Sequence, residues 1–184
     1  IVGIHYLSSI SKLKEINIVL HKKYIKKFKN IFNKPYTLKF GDFKSKISII
    51  SFEEKKYPKI PIKFITKKLD HSDPSYGFKF FLDKKVISYC TDTRYCKNLT
   101  NLSDGSDLLI LECNQFKKKK NFHLSFEEIK KNKIKFNTNK IALTHFGPED
   151  FETVKERYRK LKKDIDAIRN IKFFITKDLL SLKI

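Results

Sequence analysis

Three short apolar runs in this chain each lead to a side chain that can bind a metal, and that pattern constrains the fold more than any other feature. Ile60-Pro61-Ile62-Lys63-Phe64-Ile65 leads to His71, Val86-Ile87-Ser88-Tyr89-Cys90 to Asp92, and Lys140-Ile141-Ala142-Leu143-Thr144 to His145. Each run has strand length and strand composition. Neighbouring strand ends lie side by side in a sheet, and histidine and carboxylate are ligand types that zinc takes. In α/β sheets such ends are where sites form. The three residues therefore read as most of a binuclear metal centre.

The remaining sequence reads as a sheet with helices on it. A helix is expected over 1–12 and a strand over Ile16–Leu20. Tyr24, Ile25, Phe28, Ile31 and Phe32 recur at helical spacing against a lysine face, and Asn33-Lys34-Pro35 stops that helix. Strands are expected over Ser45–Phe52 and Lys59–Leu69, with Lys56-Tyr57-Pro58 as the turn between them. Gly77–Leu82 and Val86–Cys90 form a hairpin across Asp83-Lys84-Lys85. Tyr95–Leu102 is helix-like and stops at Asp104-Gly105. Asp107–Cys113 is a buried strand, because Leu108-Leu109-Ile110-Leu111 is continuously apolar.

Ser125 with Glu128 three residues on is a capping box. Phe151, Val154, Tyr158, Leu161, Ile165 and Ile168 mark the clearest amphipathic helix, and Ile171–Ile175 is a last short strand. Hairpins first and then β-α-β-α-β make a layered α/β domain spanning 1–184.

Composition narrows the partners. The 184 residues carry a formal net charge of +21, which invites a nucleic-acid reading. Much of that charge is lysine in a chain rich in Ile, Asn and Phe, a composition that an AT-rich genome imposes whatever the function. No apolar run is long enough to span a membrane. Cys90, Cys96 and Cys113 are odd in number and lack zinc-finger spacing, so free thiols in a reducing cytoplasm are the simpler reading. The sequence opens on Ile1, inside an apolar pattern, and contains no methionine, which suggests upstream residues.

Taken singly, each candidate has an ordinary explanation. A loop histidine such as His71 or His145 is commonly solvated, and an aspartate at a strand-to-helix junction such as Asp92 is commonly a helix cap. Glu112 could be a solvent-facing strand end or could orient a histidine. His123 could lie on the surface or could supply a proton. Arg94 and Tyr95 could contact phosphate, or Arg94 could pair locally with Asp92. His5 and His21 read as structural.

Five motifs in order carry a resemblance. They are His71-Ser72-x-Pro74-Ser75-Tyr76-Gly77-Phe78, Cys90-Thr91-Asp92-Thr93-Arg94, Leu109-Ile110-Leu111-Glu112-Cys113, His123-Leu124-Ser125 and Leu143-Thr144-His145-Phe146. Together they resemble the metallo-β-lactamase superfamily, and within it the ribonuclease Z branch, over nearly the whole chain. The resemblance implies a four-layer αβ/βα sandwich, of which residues 1–184 would be roughly the C-terminal three quarters, as one domain.

It also implies two zinc ions (Zn2+), although manganese or iron suits mixed N/O donors. His71 would bind the first zinc, Asp92 would bridge both, and His145 would bind the second. Glu112 and His123 match the pair that assists proton transfer, and Ser72, Ser75 and Arg94 would touch substrate. The implied activity is endonucleolytic hydrolysis of RNA, such as precursor tRNA 3′-end processing. Relatives in that branch are often homodimers, but no interface is legible here.

The departures from that family are specific. Its His-x-His-x-Asp-His motif would precede residue 1, so this chain holds three of seven ligands and would be inactive by itself. Leu111 stands where many relatives have His, and Thr91 where Gly is usual. No arm for clamping tRNA is evident. A small phosphodiester or other ester is the alternative substrate, and a non-catalytic, basic nucleic-acid-binding relative is the alternative outside enzymology.

Overall fold

The computed structural model describes residues 14–31, 39–52, 62–147, 153–177 and 180–182. The helix expected over 1–12, His5, the Pro35 stop, the turn at 56–58, the start of the strand at 59–61 and Phe151 lie outside these residues. Two compact units divide the chain at residue 60.

In the first unit, β1 (Glu15–His21) and β2 (Lys46–Phe52) pair in parallel from Glu15↔Lys46 to His21↔Phe52. The helix expected between these two strands is present as α1 (Ile25–Ile31), and a helical crossover is what lets sequential strands run parallel. The turn expected at 56–58 would make β2 one arm of a hairpin, whereas β2 pairs with β1. His21 closes β1, and its Nδ1 accepts the Lys23 N–H at 3.2 Å, the structural role read for it.

The second unit holds a six-stranded sheet in simple sequential order. Its strands are β3 (Lys63–Lys68), β4 (Tyr76–Leu82), β5 (Lys85–Cys90), β6 (Leu108–Glu112), β7 (Lys140–Thr144) and β8 (Lys172–Ile175). The first three pair antiparallel, and β5 to β8 run parallel. The change follows from the connections. A two-residue turn at Asp83-Lys84 reverses the chain between β4 and β5, with Asp83 at φ 45°. The helices α2 (Lys97–Ser103), α3 (Phe126–Asn132) and α4 (Val154–Asp166) bridge the parallel strands.

The core lies along β6 and β7: Leu109, Leu111, Ile141 and Leu143 have no exposed surface. Leu108 and Ala142, which point to the opposite faces of their strands, are 3% and 1% exposed. Leu99 and Leu102 of α2, Ile129 of α3 and Leu161 of α4 join the same cluster. The Ser125 capping box is present, with Ser125 Oγ accepting the Glu128 N–H at 3.2 Å and Glu128 Oε2 accepting the Ser125 N–H at 3.3 Å. Thr153 Oγ1 caps α4 by accepting the Glu156 N–H at 3.2 Å. Gly77 fits its strand because a Cβ there would stand 2.6 Å from Leu102 Cδ1. Among the described residues no helix is long and apolar enough to cross a membrane.

Candidate metal and proton-transfer site

Strand direction gathers the site. The parallel strands β5, β6 and β7 finish on one edge, in register at Cys90↔Leu111↔Leu143, so Asp92, Glu112 and His145 emerge together. Because β4 runs against β5, with Phe78 opposite Tyr89, the loop that enters β4 lies at that edge as well. That loop carries His71. Two of the residues pay a conformational cost for their position: Asp92 (φ 54°) and His145 (φ 52°) both lie in the left-handed region that ordinary side chains avoid. Strain of this kind, held by surrounding structure, clusters at functional sites.

Asp92 is the centre of the arrangement. Its Oδ1 lies 3.0 Å from His145 Nε2. Its carboxylate, one His71 nitrogen and one His123 nitrogen also lie within 4.8 Å of one another. A second group, Glu112, His123 and His145, meets the same limit. Asp92 thus lies within reach of both His71 and His145, and His123 is common to the two groups.

A divalent cation fits this donor set. His71 Nε2 is buried and has no hydrogen-bond partner, a costly state for a ring nitrogen unless something occupies it. Its Nδ1 lies 3.3 Å from the Asp73 N–H and 3.5 Å from Ser72 Oγ. Nδ1 accepts the Asp73 N–H, which leaves the ring proton on Nε2. For Nε2 to ligate, the proton would have to move to Nδ1, giving up the Asp73 contact and turning to Ser72 Oγ as acceptor.

Glu112 and His123 form the pair expected from the sequence. The distance from His123 Nδ1 to Glu112 Oε2 is 2.9 Å, and Glu112 has no exposed side-chain surface. Burial pushes the Glu112 carboxyl up to about 8, against the backbone N–H groups of Thr93 and Leu124 that favour its charged form. Asp92 adds to the rise. His123 is held below the usual histidine range, first by burial and then by His71 and His145. The His123 ring stands 5.0 Å from that of His71 and 5.6 Å from that of His145, centroid to centroid.

The remaining candidates have mixed surroundings. Ser75 Oγ donates to Thr91 O at 3.1 Å, tying the His71 loop to the residue before Asp92. Ser72 is exposed. Arg94 pairs with Asp70 at 2.9 Å rather than with Asp92, and its guanidinium lies 4.6 Å from the Phe122 ring centroid. Tyr95 lies under Lys135, with 5.4 Å from Nζ to the ring centroid.

Sequence reasoning missed the residues that hold these groups still. The Thr93 N–H donates to Glu112 Oε1. Gln115 and Asn121 exchange two amide hydrogen bonds of 2.9 Å, and Asn121 Oδ1 accepts the His123 N–H at 3.2 Å. Asn114 O accepts the Gly147 N–H at 2.8 Å, just beyond His145. These polar residues have no spacing signature, so nothing in the sequence marked them.

No protein-family model and no curated protein matches this sequence. Solved structures do match. A metallo-β-lactamase-fold protein of Bacillus subtilis, YhfI, superposes with a TM-score of 0.70 and 18% identity over 94% of this chain and 67% of its own. A diphosphatase of the PhnP family gives 0.68 and 16% over 99% and 64%. The short form of human tRNase Z gives 0.64 and 16% over 98% and 72%. The chain thus spans about two thirds of the length of these structures.

Proposed function

We propose that this chain, which has the metallo-β-lactamase fold, belongs to a metal-dependent phosphodiesterase that cuts RNA in the manner of ribonuclease Z. On this reading 1–184 is one domain or the larger part of one. The observation that carries it is the reach of Asp92 to both His71 and His145, as a carboxylate bridging two ions requires. His71 and His145 would each hold one zinc, with the remaining donors lying outside the described residues. A pair of such ions supplies a nucleophile from water at neutral pH and offsets charge on the phosphoryl oxygens.

The chain's own residues manage the proton. With Nδ1 engaged by Glu112, His123 has Nε2 left for substrate. As water adds to phosphorus and gives up a proton to solvent, the bond to the 3′-oxygen breaks, the electron pair stays on that oxygen, and it takes the proton from His123 Nε2. Glu112, which holds a proton near neutrality, returns one to Nδ1. Ser75 keeps the His71 loop against the Asp92 strand, and Ser72 and Arg94 stand near enough to His71 and Phe122 to contact a phosphate.

Precursor tRNA is the first substrate to try, because the short form of human tRNase Z is among the structures this fold matches. A second reading, hydrolysis of a small phosphodiester, is favoured by the two-residue turn between β4 and β5, where no arm for gripping tRNA extends. Elemental analysis of the full-length native protein tests the centre. About two metals per chain, lost in Asp92→Ala, is the expected result. No metal would refute the hydrolase and leave a basic nucleic-acid-binding protein. Comparing a precursor tRNA with a chromogenic phosphodiester then separates the two substrate readings.

A further inference from the structure

A cleft of about 1140 Å³ opens beside His123, lined by residues of the 118–123 loop and by the α3 face and the turn after it. Arg94, Lys118, Lys119, Lys120, Lys131 and Lys135 line it against two carboxylates, Asp70 and Glu128. Both carboxylates are already engaged: Asp70 pairs with Arg94 at 2.9 Å and Glu128 with Lys118 at 2.9 Å. Lys120 and Lys131 make no ion pair among the described residues, and both are exposed. The positive charge of the cleft therefore exceeds what its own acids neutralise.

Aromatic rings interrupt the basic wall. Phe122 is 40% exposed, with Arg94 against it and the His71 ring 6.0 Å away. Tyr95 lies further along, beneath Lys135. Alternating cations and rings suit a strand whose phosphates and base faces are both accessible, which a duplex does not offer.

We propose that this cleft binds single-stranded RNA next to the scissile phosphate, with phosphates on Lys120, Lys131 and Lys135 and a base stacked on Phe122. The proposal rests on the hydrolase reading only for its link to the scissile bond, since His123 is a wall of the cleft.

The test is fluorescence anisotropy on the full-length protein with a single strand of about twelve nucleotides, within the usual site size for such grooves. The same RNA as a duplex and inorganic polyphosphate serve as competitors, and a gel verifies that the RNA stays intact. The single strand should bind tightest. Lys120→Ala/Lys131→Ala/Lys135→Ala should weaken it roughly tenfold or more at low salt and flatten the slope of log affinity against log salt by about 2, from three lost phosphate contacts. Phe122→Leu should weaken it by about tenfold with the slope unchanged.

Unchanged affinity in the triple variant, with its melting temperature intact, would overturn the proposal. So would tighter binding of the duplex, or equal binding of polyphosphate with no effect of Phe122→Leu. RNA binding that is sensitive to these variants in a protein without metal or hydrolysis would support the cleft while refuting the catalytic reading.

Discussion

Replacing Glu112 by Gln isolates the cost of a buried carboxyl at the centre of this site. Glu112 has no exposed side-chain surface, and its titration is raised from 4.5 to about 8. A group raised in the folded state binds its proton more tightly there than in the unfolded chain. Its contribution to stability is therefore complete below about pH 4.5 and is lost as pH climbs through about 8. At about 1.4 kcal/mol per pKa unit, the full loss approaches roughly 5 kcal/mol, and local hydration would reduce it to about 2–5 kcal/mol.

Gln keeps an oxygen for the Thr93 N–H and an amide N–H for His123 Nδ1, but it has nothing to ionise. Urea unfolding of chelator-treated protein, followed by circular dichroism from about pH 5 to 9, should show the wild type weakening relative to the variant as pH rises. The variant should lose hydrolysis while keeping metal. Parallel stability curves would refute the claim that Glu112 holds a proton at neutrality.

Two glycine substitutions separate crowding from backbone strain. Gly77→Ala drives a methyl to 2.6 Å from Leu102 Cδ1 inside the core, and should cost about 1–3 kcal/mol in thermal or chemical unfolding. Gly105→Ala meets nothing within 4 Å but must hold φ 65°, and should cost about 1–2 kcal/mol. A cost below about 1 kcal/mol for Gly77→Ala would mean that packing around Gly77 is looser than these distances state. Of the three free thiols, Cys96 is partly exposed and should react with a disulfide reagent in native protein. Cys90, buried and pushed up to about 12, should react only after unfolding; fast native labelling of Cys90 would mean that the core around β5 opens.

The local elements were legible because their signals are local. The apolar run Leu108–Leu111, the hairpin around Asp83-Lys84, the Ser125–Glu128 box and the stripe through Leu161 each depend on neighbours within a turn or a strand. The partner of β2 was not legible in that way. A turn at 56–58 suggests a hairpin with the strand that follows, whereas β2 lies parallel to β1 across a long connection, a choice made by contacts distant in sequence.

The site divides along the same line. The amino-acid sequence determined which side chains stand at strand ends, and it ordered His71, Asp92, Glu112, His123 and His145 in five recognisable motifs. Only the tertiary structure decided their mutual distances. The parallel register of β5, β6 and β7 brings Asp92 within 3.0 Å of His145, and the reversal at β4 brings His71 to the same edge. Burial, which no single residue carries by itself, sets the proton on Glu112. Charge followed this division too: +21 is a property of the chain, but a cleft whose lysines exceed its acids beside His123 exists only once loop and helix fold against each other. Side-chain identity is local, whereas distance, desolvation and field are sums over residues far apart in sequence.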